Sequence, residues 1–125
     1  MRLWHVDLIC HLPKQWLMGQ HRECCALRGK GWGRKHSTVD YVFEHPYSML
    51  VHYHFKVISV LIQQHKVNID NRWLYGNYRG KRIGYEHSPF TAVKLLGTKD
   101  YPEHDENYKQ ECLENLKAKG INLAL

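Results

Sequence analysis

The sequence predicts a mainly α fold: a compact single domain spanning residues 1–125, with three helices joined by long basic loops. Three observations lead there. A length of 125 residues is that of one domain. Three segments carry apolar residues at helical spacing between recognisable start and stop signals. The connections between them are rich in glycine and cations, with no internal repeat or low-complexity tract.

The first helix is expected from Pro13 to Leu27 or Arg28. Proline suits a first turn, where its missing N–H costs nothing, and Gly29 supplies a stop. The second runs from Ser48 to His65, after the punctuation of His45-Pro46. Its residues Leu50, Val51, Phe55, Val57, Ile58, Val60, Leu61 and Ile62 fall nearly all round a helix, as in a buried central element. Its β-branched content would also suit a strand, but the run exceeds the roughly 3–10 residues of ordinary strands. The third runs from Asp105 to Lys119. Glu103, Asp105 and Glu106 complement its positive end, Lys117 and Lys119 its negative end, and Gly120 terminates it. Tyr108, Cys112, Leu113 and Leu116 are its core contacts. Two long stretches, Gly29–Tyr47 and Lys66–His104, lie between the helices, and connections this long usually bind something.

Charge follows the same organisation. Eighteen Lys and Arg against twelve Asp and Glu give +6, with ten His besides. Residues 1–36 and 72–99 each carry +5, residues 37–71 carry −1 and residues 100–125 carry −3. Two segregated basic blocks point to a polyanion as partner, against a background in which charge runs are commonly solvated surface. No stretch approaches the ~20 apolar residues of a membrane span, and Arg2, His5 and Asp7 interrupt any apolar leader. A cytoplasmic protein that binds no membrane is expected. Cys10, Cys24, Cys25 and Cys112 then read as reduced thiols. His21, Cys24 and Cys25 could present zinc ligands from one helical turn, but neither C-x-x-C nor H-E-x-x-H occurs. No metal and no cofactor are expected.

Helix one holds an anomaly. Stepping about 100° per residue sets Glu23 among Leu12, Gly19, Trp16 and Leu27, with Gln20 beside it. A carboxylate in an apolar stripe must be paired, protonated or lining a pocket, because burying it alone is prohibitive. It is either a structural ion pair to a distant arginine or a functional acid/base. The loop Gly29-Lys30-Gly31-Trp32-Gly33-Arg34-Lys35-His36-Ser37-Thr38 combines glycines, cations, an indole and hydroxyls. Backbone N–H groups and cations of this kind meet phosphates, although the spacing is not that of a Walker A loop. Tyr78-Arg79-Gly80-Lys81-Arg82-Ile83-Gly84-Tyr85 repeats the mixture, which suits unstacked bases along a charged backbone. No Ser-His-Asp arrangement can be argued from spacing, and the basic blocks lack the carboxylates of a two-metal nuclease.

Gln15-Trp16-Leu17-Met18-Gly19-Gln20-His21-Arg22-Glu23, followed by Arg34-Lys35-His36, resembles the endonuclease V-type pyrimidine-dimer DNA glycosylases. The likeness continues more loosely through Tyr47–Ile69 and Tyr78-Arg79-Gly80, and Arg22-Glu23 is its most specific part. Met1–His5, Arg22–Gly29 and Gly31–Thr38 resemble a small bacterial branch of the same pyrimidine-excision family. The resemblance implies a compact three-helix fold and a bifunctional glycosylase/AP lyase. In such enzymes the chain's α-amine attacks the deoxyribose C1′ to form a Schiff base, a helix-one glutamate moves the protons, and β-elimination cuts the strand. Carried over, Glu23 is the general acid/base, Arg22 a phosphate or lesion contact, and Arg2 the arginine that follows the nucleophile. Where the phage-type relative exposes a threonine amine, Arg2 here directly follows Met1, so the retained Met1 amine is the expected nucleophile. The expected site is therefore Met1 and Glu23. DNA is met by Arg2, Arg22, Arg28, Lys30, Trp32, Arg34, Lys35, His36, Arg79 and Lys81. The expected partner is double-stranded DNA, bound by a nucleoid-associated monomer. The competing classes are a non-catalytic nucleic-acid-binding protein on the same scaffold and a zinc-binding regulator.

Overall fold

The computed structural model describes residues 2–29, 40–86 and 98–123. Its helices are α1 (Lys14–Arg28), α2 (Tyr41–Glu44), α3 (Tyr47–His65) and α4 (Glu106–Ala118), with 3-10 turns at Val6–His11 and Asn71–Leu74. The fold is mainly α, as expected. Among the described residues the one β feature is an isolated antiparallel bridge between Tyr78 and Tyr85. No described helix is long and apolar enough to cross a membrane.

The end signals act as read, with one exception. Pro13 caps α1 at φ −60°. Asp105 accepts the Tyr108 N–H at the start of α4, and Gly120 takes φ +84° after its end. Gly29, however, closes α1 at φ −79°, a conformation open to any residue. A Cβ there would come to ordinary van der Waals distance, 3.4 Å, from the carbonyl oxygens of Ala26 and Arg79, so the Arg79 segment packs beside Gly29 without demanding glycine.

Helix α3 is central: α1, α2 and the Val6–His11 turn all pack on it. Leu50, Val51, Tyr53, Val57, Ile58 and Leu61 are its buried face, worth roughly 1.5–3 kcal/mol for each large aliphatic side chain. It is not buried all round, since Ile62 is 39% exposed and Phe55 and Val60 line an open apolar groove beside Ile9. Helix α4 joins through Cys112 and Leu116.

The buried face of α1 differs from the expected stripe. It consists of Leu17, Gln20, His21, Cys24, Leu27 and Arg28. Three of the six are polar and have partners far along the chain, so the face is rotated from the apolar positions alone. Glu23 sits at its edge, half-buried.

His104 ties the segment before α4 to the N-terminal turn. Its Nδ1 accepts the Val6 N–H at 3.1 Å, so Nε2 carries the proton and donates to Tyr41 Oη at 2.7 Å. Burial lowers its pKa to about 4, helped by His5 alongside and opposed by Asp100, Glu103 and Asp7. An unfolded histidine titrates near 6.5. The neutral ring thus stabilises the fold fully above that value, and the contribution is lost as pH falls toward 4. His21 and His54 are lowered by burial in the same direction. Stability measured by urea unfolding is therefore expected to drop from pH 7 to 4. His104→Gln should make that slope shallower by about 1.4 kcal/mol per pH unit, the value for one proton.

Candidate active site

The chain enters the fold as an extended segment with no strand beside it. Its backbone groups are satisfied by side chains instead, as buried peptide groups must be. Gln20 Nε2 donates to the Arg2 carbonyl at 3.0 Å, and Gln20 Oε1 accepts the Trp4 N–H at 2.7 Å. Tyr108 Oη of α4 donates to the Leu3 carbonyl and Tyr53 Oη of α3 to the Trp4 carbonyl, both at 2.5 Å. Three helices thereby peg residues 2–4 against α1.

Glu23 lies where this segment begins. Its Oε2 accepts from Gln20 Nε2 at 3.1 Å, and the Arg2 backbone N–H also reaches its carboxylate. Burial raises its pKa, opposed by the Arg2 N–H, the Gln20 amide and the Arg22 charge. A carboxyl group raised by burial and held by donors is suited to giving and taking a proton.

Glu23 opens into a cleft of about 610 Å³ whose walls include Arg2, Trp4, Trp16, Gly19, Asn115 and Lys119. Trp4 and Trp16 meet edge to face at 5.8 Å, and the Lys119 ammonium stands 6.0 Å from the Trp16 ring. Arg2 is anchored at the rim by Glu111 at 3.2 Å and lies over the Trp4 and Tyr108 rings. A larger groove of about 710 Å³, between Ile9 and Phe55, is mostly apolar, with Asp7, His52 and Lys56 among its lining residues.

The other expected DNA contacts divide three ways. Arg22 and Lys81 are exposed, and the Arg22 guanidinium lies 3.9 Å from where a Cβ on Gly19 would stand. Met1, Lys30, Trp32, Arg34, Lys35 and His36 lie outside the described residues. Arg28 and Arg79 are corrected by the structure. Arg28 is 0% exposed. Its guanidinium donates to Tyr47 Oη, His54 Nδ1 and the carbonyls of Trp73, Tyr75, Gly76 and Tyr78, so no phosphate can reach it. Arg79 has a side chain 10% exposed, donates to the Arg28 carbonyl at 2.6 Å and lies 4.1 Å over the Tyr47 ring. Both arginines bind the second basic loop to α1.

The sequence reading missed Gln20's part, Trp4, Asn115 and Lys119. Gln20 had a signal, its position next to Glu23 on the helix. Asn115 and Lys119 had none, because their place depends on how α4 docks across the chain.

His21, Cys25 and His54 come together in place of the expected His21, Cys24 and Cys25. Cys24 points into the core at 0% exposure. His21 Nδ1 is 2.8 Å from His54 Nε2, and Cys25 Sγ is 3.7–4.0 Å from both rings. Arg28 can only donate, so His54 Nδ1 accepts and Nε2 holds the proton that is given to His21. A divalent ion at this nitrogen would have to displace that proton next to a buried guanidinium, so the donor set does not fit one. Burial pushes the Cys25 thiol up to about 12, the Arg28 charge notwithstanding.

Residues 1–75 match the family model described as pyrimidine dimer DNA glycosylase. The chain belongs to the pyrimidine dimer DNA glycosylase family. Its activity is that of a DNA-repair glycosylase, and its substrate is DNA. The matched part of this glycosylase holds residues 2–4, Gln20, Glu23 and Arg28, while Gly76 and Tyr78 of the Arg28 tie, Tyr108, and Asn115 and Lys119 of the cleft lie beyond it. No curated protein and no solved structure gives a significant match.

Proposed function

We propose that the chain is a bifunctional glycosylase/AP lyase acting on double-stranded DNA that carries a pyrimidine dimer or an abasic site. The α-amine of Met1 is the nucleophile and Glu23 the general acid/base. The observation that carries this reading is the pairing of the Arg2 backbone with the Glu23 carboxylate. Met1 precedes Arg2 by one residue in the sequence. An amine there has a reference pKa of roughly 7.7–8.0, so a fraction is neutral and nucleophilic at neutral pH.

The amine nitrogen attacks C1′ and the glycosidic bond breaks, the departing base taking a proton from the Glu23 carboxyl. Ring opening leaves a C1′=N Schiff base. The Glu23 carboxylate then removes a C2′ proton, the C3′–O bond breaks and the 3′-phosphate leaves. Water releases the unsaturated aldehyde and restores the amine. Arg2, Arg22 and Lys81 supply phosphate contacts, joined in this proposal by Lys30, Trp32, Arg34, Lys35 and His36.

The test is reductive trapping. Borohydride added to the protein and an abasic or dimer-containing duplex is expected to give a covalent protein–DNA species. Salt-sensitive binding with no trapped species on any damaged duplex would instead favour the non-catalytic DNA-binding protein.

A further inference from the structure

We infer that Gln20 is the positioning residue of this site, its single buried amide holding the start of the chain and the Glu23 carboxylate in one hydrogen-bonded unit. The inference rests on the amine-and-carboxylate reading above and adds what keeps those two groups together.

Gln20 is 2% exposed. Its orientation is settled by its partners: the Trp4 N–H only donates, so Oε1 faces it, and the Arg2 carbonyl only accepts, so Nε2 faces that. The second Nε2 hydrogen then goes to Glu23 Oε2. Tyr53 Oη stands 3.1 Å from Oε1 and closes the network from α3. Every hydrogen-bonding hydrogen of the amide is used, and its targets are the backbone before and after Leu3 and the one carboxylate in the cleft wall.

No other common side chain does both tasks. Glutamate would keep the acceptor for Trp4 and Tyr53 but set a second oxygen against the Arg2 carbonyl and Glu23. Methionine would fill the space and bond nothing. The amide therefore does two things for the reaction. It tethers the backbone next to the α-amine, and it donates to the Glu23 anion, which offsets the effect of burial on that group. Without the donor, Glu23 stays protonated to higher pH and is a poorer acceptor for the C2′ proton.

The test compares the full chain with Gln20→Met and Gln20→Glu, the latter keeping the acceptor toward Trp4 and Tyr53 in case the former does not fold. The Glu23 carboxyl carbon is titrated by NMR, and the pH profile of single-turnover strand cleavage on an abasic duplex is recorded alongside. In either variant the Glu23 midpoint is expected to rise by about one pH unit, more in Gln20→Glu through like charge. The acidic limb of cleavage should rise by the same amount, a loss of up to about tenfold on that limb that recovers at higher pH. An unmoved Glu23 midpoint, or a uniform loss of cleavage with an unchanged pH profile, overturns the inference and leaves Gln20 a packing residue. If Glu23 moves while the unaltered chain traps no adduct, the amine-and-carboxylate reading fails and the inference falls with it.

Discussion

Glu23→Gln is expected to lower strand cleavage at least a hundredfold while leaving the fold and the affinity for DNA in place. The size follows from what a positioned acid/base contributes, typically 10²–10⁴ in rate. The substitution keeps the shape of the side chain and an oxygen that can accept from Gln20 Nε2. It removes a negative charge from the rim of a basic surface, so binding should hold or tighten. Single-turnover cleavage of damaged duplex, measured with fluorescence anisotropy for binding, separates the two quantities. Weakened binding with normal cleavage of bound DNA would make Glu23 a structural residue of the cleft.

The second large effect is on stability. Arg28→Leu is expected to cost about 3 kcal/mol or more, since each buried acceptor left without a donor costs about 1–3 kcal/mol. Four carbonyls, those of Trp73, Tyr75, Gly76 and Tyr78, converge on this guanidinium, and His54 takes another of its protons. Leucine would take the guanidinium from the Trp73 and Gly76 carbonyls and from His54, and leave Tyr75 with the Tyr78 N–H and Tyr78 with a long contact to Tyr47 Oη. Arg28→Lys should rescue little, because an ammonium cannot reproduce the planar fork. Urea unfolding measures the loss. The folded fraction of each variant should keep the salt dependence of DNA binding unchanged, whereas a phosphate-contacting arginine would lower that slope by about one. A stable Arg28→Leu protein with a shallower slope would reinstate the DNA-contact role expected from sequence.

Arg28 also shows where sequence reasoning stops. The three long helices were legible because Pro13, Asp105 and Gly120 are local signals that act within a turn of themselves. The four-residue α2 and the turn at Val6–His11 lack such signals and owe their form to packing on α3 and, for the turn, to the His5 cap, whereas Asp70 caps Asn71–Leu74 as Asp105 caps α4. The face of α1 was misplaced because the apolar rule treats Gln20, His21 and Arg28 as solvent-facing. Their partners stand up to 50 residues away, in the loop after α3 and on α3 itself. Glu23 stands at the edge of the buried face, in the wall of a cleft and beside the Arg2 backbone, instead of in the middle of an apolar stripe. The cleft itself was not legible, since its far wall comes from α4.

The central claim is that one end of the chain and one carboxylate perform the chemistry. It is tested most directly by locating the trapped adduct. After borohydride trapping on an abasic duplex, nuclease trimming and proteolysis, tandem mass spectrometry is expected to place the reduced sugar remnant on the α-nitrogen of the Met1 peptide. An adduct on a lysine side chain, such as Lys119 in the cleft wall, would contradict the account.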